Sequence, residues 1–172
     1  MTTMAKTEER DHVDRFLEEN DLPGVDLEVE GIVDRINGIR RRFHRMLDET
    51  LVEFGLAEGE WKALNQLRLA GPPHRRSPGQ LSEWAELSSG AMTNRIDRLE
   101  HAGLVRRLPD PDDRRGVIVR LTREGKAAVD GAFTALIEAE KALLADLPAA
   151  HQKELAGLLR RLLSPFGEPA AE

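Results

Sequence analysis

The sequence predicts a mainly α-helical chain with one small β-hairpin. Three observations predict it. Apolar residues recur at helical spacing through most of the 172 residues. The period drops to two only in Leu104–Leu108 and Val117–Leu121, two β-rich runs separated by PDPDDRRG, which reads as a hairpin loop. Just before the hairpin, the stretch SPGQLSEWAELSSGAMTNRIDRLEHAG holds a short helix, a tight turn and a second capped helix.

The elements follow in chain order. Residues 7–20 read as an amphipathic helix with Val13, Phe16 and Leu17 on one face, broken by NDLPG. From Leu27 to about Phe54 a long helix carries Ile32, Ile36, Ile39, Phe43, Met46, Leu47, Leu51 and Phe54 at helical spacing, and Gly55 ends it. Its RRRFHR stretch, Arg40–Arg45, reads as a polar helix face with Phe43 turned inward. A helix from Glu58 to about Leu69 turns Trp61, Leu64, Leu67 and Leu69 inward, and AGPPHRR is a loop. Ser77 caps the next helix, with Pro78 at its first position and Gln80 three residues past the cap. Ser88 or Ser89 caps the one after it, which commits only Met92, Ile96 and Leu99 to the core and closes at Gly103. Thr122 caps a helix bearing Val129, Phe133, Leu136, Ile137, Leu143, Leu144 and Leu147. Pro148 breaks the chain before a last leucine-rich helix, His151–Leu163, and a frayed tail.

Helix, turn, capped helix, hairpin is the order of a winged helix-turn-helix. The capped helix is narrow enough for a major groove because one stripe suffices to anchor it. Its other faces carry Ser88, Ser89, Thr93, Asn94, Arg95 and Arg98, whose lengths suit base edges and phosphates. Arg114 and Arg115 at the hairpin tip suit the negative minor groove, and Asp112 can hold a guanidinium in direction. The bland alternative for Arg95 and Arg98 is surface pairing with Asp97, Glu100 and Glu86.

Charge supports the same reading. The net charge is −6, but it is uneven. Residues 1–60 hold 8 Lys+Arg against 16 Asp+Glu, a net of −8, whereas residues 88–123 hold 8 against 5, a net of +3. A phosphate backbone responds to the local patch. Without cysteine there is no disulfide and no thiolate site. The histidines at 12, 44, 74, 101 and 151 offer no metal-ligand pair on one helix, and no cofactor is called for. DPDDRRG is not a calcium loop, since Arg115 and Leu121 stand where an EF-hand needs Gly and Glu. With no nucleophile elbow or Gly-rich phosphate loop, an enzyme is not expected. No apolar run approaches the ~20 residues of a membrane span and no signal pattern opens the chain, so a cytoplasmic protein is expected.

DPDDRRGVIVRLTREG resembles the wing signature of the multiple-antibiotic-resistance regulator (MarR) family, through Asp112, Arg114, Leu121, Thr122 and Gly125. LSSGAMTNRIDRLEHAGLV resembles that family's recognition helix, and the likeness runs from about Leu27 to Leu163. It implies a homodimer whose first and last helices interleave, a palindromic site on double-stranded DNA, and a small ligand that weakens DNA binding, most often as a repressor. The implied division is 1–54 for the N-terminal extension and dimerisation helices, 55–122 for the winged helix-turn-helix, and 123–172 for C-terminal dimerisation helices and tail. The extra N-terminal helix is similar to the urate-responsive subgroup and its aconitate-sensing relatives. Two arginines of that subgroup's ligand motif match Arg95 and Arg106, and Lys62 in EWK replaces the acid of its EWD. Tryptophan occurs only at 61 and 84, so the subgroup's tryptophan in the first helices has no counterpart. Lys62, Arg95 and Arg106, with Trp61 as a wall, then suit an anionic effector of the aconitate or citrate kind better than urate. The alternative function is a winged-helix module that binds protein, an adaptor without specific DNA binding.

Overall fold

The computed structural model describes residues 10–20, 23–111, 113 and 116–166. Among the described residues seven α-helices run in order: α1 (His12–Glu19), α2 (Leu27–Val52), α3 (Glu58–Leu69), α4 (Pro78–Trp84), α5 (Ser89–His101), α6 (Arg123–Leu143) and α7 (Ala149–Leu163). Three strands, β1 (Arg75–Arg76), β2 (Val105–Pro109) and β3 (Val117–Leu121), form one antiparallel sheet in the order β1-β3-β2. The described part is therefore mainly helical with a small winged sheet, as the sequence predicts. Backbone proximity divides the chain into two units, Met1–Met46 and Leu47–Glu172.

In the first unit, α1 starts later than the periodicity predicts. Arg10 and Asp11 lie outside it, and residues 7–9 lie outside the described residues. The Asp11 carboxylate caps the helix by accepting from the backbone N–H groups of Val13 and Asp14, and Asp14 returns the bond to Asp11 N–H. Arg35 of α2 ties the pair down, donating to Asp11 at 3.0 and 3.1 Å and to Asp14 at 2.5 Å. Val13 is buried, but Phe16 is exposed, contrary to the expected inward face.

The second unit begins with the buried end of α2, Leu47 and Leu51. Gly55 stops that helix in the left-handed region, φ +65°, where glycine has no Cβ to clash. Leu56 N–H reaches back to Leu51 and Gly55 N–H to Val52, which satisfies carbonyls that the helix end would leave open. Gly103 closes α5 with the same pair of bonds, Leu104 to Leu99 and Gly103 to Glu100. The core gathers Leu64 and Leu67 of α3, Leu81 of α4, Met92, Ile96 and Leu99 of α5, Val105 and Val119 of the sheet, and Val129, Ala132 and Leu136 of α6. Leu69 is exposed, because it falls well round the helix from Leu64 and Leu67. Arg68 fastens α3 to α6: it pairs with Asp130 at 2.9 Å and lies 4.0 Å over the Phe133 ring.

The stretch AGPPHRR is not all loop. Arg75 and Arg76 pair with Arg120 and Val119, making a third strand. His74 carbonyl accepts from Leu121 N–H and leads the chain into this edge.

Candidate nucleic-acid interface

The α5 helix is built to show its polar side. Ser88 is the cap, its hydroxyl accepting from Ala91 N–H at 3.3 Å, and Ser89 is the first helical residue. Met92, Ile96 and Leu99 are 0%, 1% and 2% exposed, so the whole apolar stripe is spent on anchorage. Ser88, Ser89, Thr93, Asn94 and Arg98 are exposed. The Thr93 hydroxyl donates to the Ser89 carbonyl at 2.8 Å, which leaves its oxygen free to accept.

Arg95 differs from these. It is half-buried and turns towards α3, where its guanidinium occupies the space in which a Cβ on Gly59 would stand. Its Nε is buried without an acceptor among the described residues, and so is Trp61 Nε1 on the same helix. Lys62, half-buried, pairs with Glu58 at 3.1 Å. Arg106 is exposed on β2, directly opposite Arg120, which in turn lies opposite Arg75. Among the described residues no hydrogen bond or ion pair joins Arg106 to Arg95 or Lys62. Its charge helps hold the Glu124 carboxyl below the usual range, after that residue's own backbone N–H and Arg123. The structure thus brings Arg95 to the helix that carries Trp61 and Lys62, and sets Arg106 in an arginine row across the sheet.

The alternative pairing of Arg95 and Arg98 with Asp97, Glu100 or Glu86 does not form among the described residues. Asp97 and Glu100 belong to Arg107, a residue that the sequence reading passed over. Arg107 pairs with Asp97 at 2.6 Å and with Glu100 at 2.6 Å, and its backbone N–H donates to Glu100 at 2.8 Å. That backbone bond, followed by the guanidinium, holds the Glu100 carboxyl below its ordinary value. The exposed helix is thereby bolted to the first strand of the wing. Arg98 instead pairs with Glu60 of α3 at 3.0 Å. A signal existed for Arg107: it is the β2 position that shares a face with buried Val105 and Val119, so it must point inward to a partner.

The wing leaves the sheet at Pro109 and returns at Val117. Asp110 N–H donates to Gly116 and Gly116 N–H to Asp113, which closes the loop. Asp112, Arg114 and Arg115 lie outside the described residues. Among the described residues no group of acidic or histidine side chains could hold a metal ion, and no helix is long and apolar enough to cross a membrane.

A capped helix with one anchored stripe, preceded by a short helix and followed by an antiparallel hairpin, defines a winged helix-turn-helix protein. Comparison with known proteins places it further. Residues 56–117 match the model of the MarR family. The HTH-type transcriptional regulator PecS of Dickeya dadantii (strain 3937) is 31% identical over 143 residues, spanning 83% of this chain and 86% of that protein. The multiple antibiotic resistance protein MarR of Escherichia coli (strain K12) is 35% identical over 92 residues, 54% of this chain and 62% of that one. A mutant E. coli MarR solved in complex with operator DNA superposes with a TM-score of 0.62 at 30% identity, covering 81% of this chain and 99% of that chain. The chain belongs to the MarR family, a family of transcriptional regulators rather than enzymes.

Proposed function

We propose that the chain is a cytoplasmic, ligand-responsive regulator that binds a palindromic operator as a homodimer and represses until a small anion releases it. The observation that carries the DNA reading is α5: its apolar stripe is wholly buried while Ser88, Ser89, Thr93, Asn94 and Arg98 stand exposed. Asn94 suits an adenine edge and Arg98 a guanine edge or phosphate. Arg114 and Arg115 extend the contact to a minor groove, with Asp112 directing Arg114. The relative solved with operator DNA supports this assignment.

Unsatisfied apolar surface supports the homodimer. None of the residues of α7 is buried, and Leu155, Leu158, Leu159 and Leu162 are exposed. On α2, Ile32, Ile36, Ile39 and Phe43 are exposed too. Stripes of this kind mark an interface in a water-soluble chain. Residues 1–54 and 123–172 would then supply the dimer, and 55–122 the reading head. Two copies of α5 must sit about 34–36 Å apart to enter successive major grooves.

The effector site is placed at Trp61, Lys62 and Arg95, with Arg106 as a further cation. Two buried N–H donors there await an acceptor, Trp61 Nε1 and Arg95 Nε. A multiply charged carboxylate such as aconitate or citrate would satisfy both, and is favoured over urate because Lys62 adds positive charge. About 1–3 kcal/mol of coupling between this site and DNA is enough to switch the operator.

The test is fluorescence anisotropy with a duplex carrying the operator and a scrambled duplex, over a salt series. A linear fall of log affinity with log salt is expected, steeper than for a protein partner. Arg114→Ala is expected to weaken both duplexes, and Asn94→Ala mainly the operator. Absence of duplex binding, with a bound protein instead, would replace this reading by the adaptor. Citrate or aconitate should release the duplex and raise the melting temperature; no effect of either removes the anion.

A further inference from the structure

From the packing of α3 against α5 we infer that Glu60 is a positioning residue for the DNA-reading arginine, Arg98. This rests on the proposal that α5 reads DNA. Glu60 lies in the first turn of α3, outside the reading helix, and it uses both carboxylate oxygens. Oε2 accepts from Ala57 N–H at 3.1 Å, which fixes the side chain against its own helix start. Oε1 accepts from Arg98 Nε at 3.0 Å. The Glu60 side chain is 16% exposed and that of Arg98 63% exposed, so the anchor is sheltered and the arginine projects from it.

The choice of Nε decides the chemistry. Arginine carries five N–H donors in a planar fork. With Nε–H committed to Glu60, the Nη1 and Nη2 end is left to point outward, and no group among the described residues bonds to it. That end matches a guanine O6/N7 edge or a pair of phosphate oxygens. Holding a long side chain in one direction before the duplex arrives removes part of the entropy lost on binding.

A mere negative charge beside Arg98 would act oppositely, repelling every duplex alike. The two roles separate in the ratio of operator to scrambled-duplex affinity. The full chain is measured by anisotropy as Glu60→Ala, Glu60→Gln and Arg98→Ala, and as Glu60→Ala combined with Arg98→Ala. Each is repeated in an Ala57→Ser background, where the serine hydroxyl accepts from first-turn N–H groups of α3 and offsets the helix stability lost with the Glu60 bond to Ala57 N–H. Glu60→Ala is expected to lower the ratio about fivefold. Glu60→Gln should restore part of it, because its single amide oxygen can still accept from Nε–H while exposed Ala57 N–H turns to water. Glu60→Ala should leave the ratio unchanged once Arg98 is alanine. Equal behaviour of the alanine and glutamine variants, a rise for both duplexes, or an undiminished effect without Arg98 would overturn the inference. If the unaltered chain binds no duplex at all, the DNA reading itself falls and this one with it.

Discussion

Single atoms set the limits at two positions. Gly125 opens α6 beside Leu104, and a Cβ there would overlap the Leu104 carbonyl, which is backbone and cannot swing aside. The approach is fixed by Thr122, whose N–H donates to Leu104 carbonyl at 3.0 Å while its hydroxyl accepts from Gly125 N–H at 2.9 Å. Gly125→Ala is therefore expected to destabilise by about 3 kcal/mol, read by urea unfolding. Arg107 gives a pH test. The folded-state carboxyl of Glu100 sits below its unfolded value of 4.5, held first by Arg107 N–H and then by the guanidinium. Its contribution is thus complete above about pH 4.5 and fades as pH falls through the lower folded value. Arg107→Gln should flatten the loss of melting temperature below pH 4.5, by the share that the guanidinium supplies; an unchanged slope would remove the ion pair from the stability of the wing base. Of these features, the Thr122 cap was legible in the sequence. The partner of Asp97 and Glu100 was not, because helical spacing points to Arg95 and Arg98, and only the strand register brings Arg107 across.

The elements were legible where the chain punctuates itself. Ser77 with Gln80, Ser88, Gly55 and Gly103 mark their boundaries by bonds that local sequence alone dictates. β1 was missed because two residues between His74 and Ser77 carry no period; Arg75 and Arg76 are a strand only by virtue of Arg120 and Val119, far along the chain. The turn between α4 and α5 holds an exception. Glu86 takes φ +50°, where a Cβ is crowded, yet Leu87 and Glu86 N–H still close the helix on Ser82 and Glu83. Glu86→Gly should relieve this and stabilise by about 1 kcal/mol, with the α4-to-α5 geometry kept and DNA affinity retained. A lower melting temperature for the glycine variant would mean that the flexibility added to the unfolded chain outweighs the relief.

At the scale of the whole molecule, apolar residues of α2 and α7 stand exposed in the single chain. The proposed homodimer gives the leucines of α7, a 15-residue helix with no buried residue, a second copy to cover them. Leu158→Lys, with Leu162→Lys, should shift sedimentation from dimer to monomer and abolish operator binding, while the melting of the Leu47–Leu143 core persists. A dimer that survives both charges would put the interface elsewhere. The sequence carried the interleaved dimer only through the family likeness, since the period of α2 and α7 shows an apolar face but not what covers it. The most direct single measurement is selection of bound duplexes from a random pool by the unaltered chain. The expected product is an inverted repeat whose half-sites lie about 10–10.5 base pairs apart, the spacing that two copies of α5 on one side of a double helix impose. Enrichment of an unpaired site, of a direct repeat, or of nothing above the starting pool would contradict a symmetric pair of reading helices.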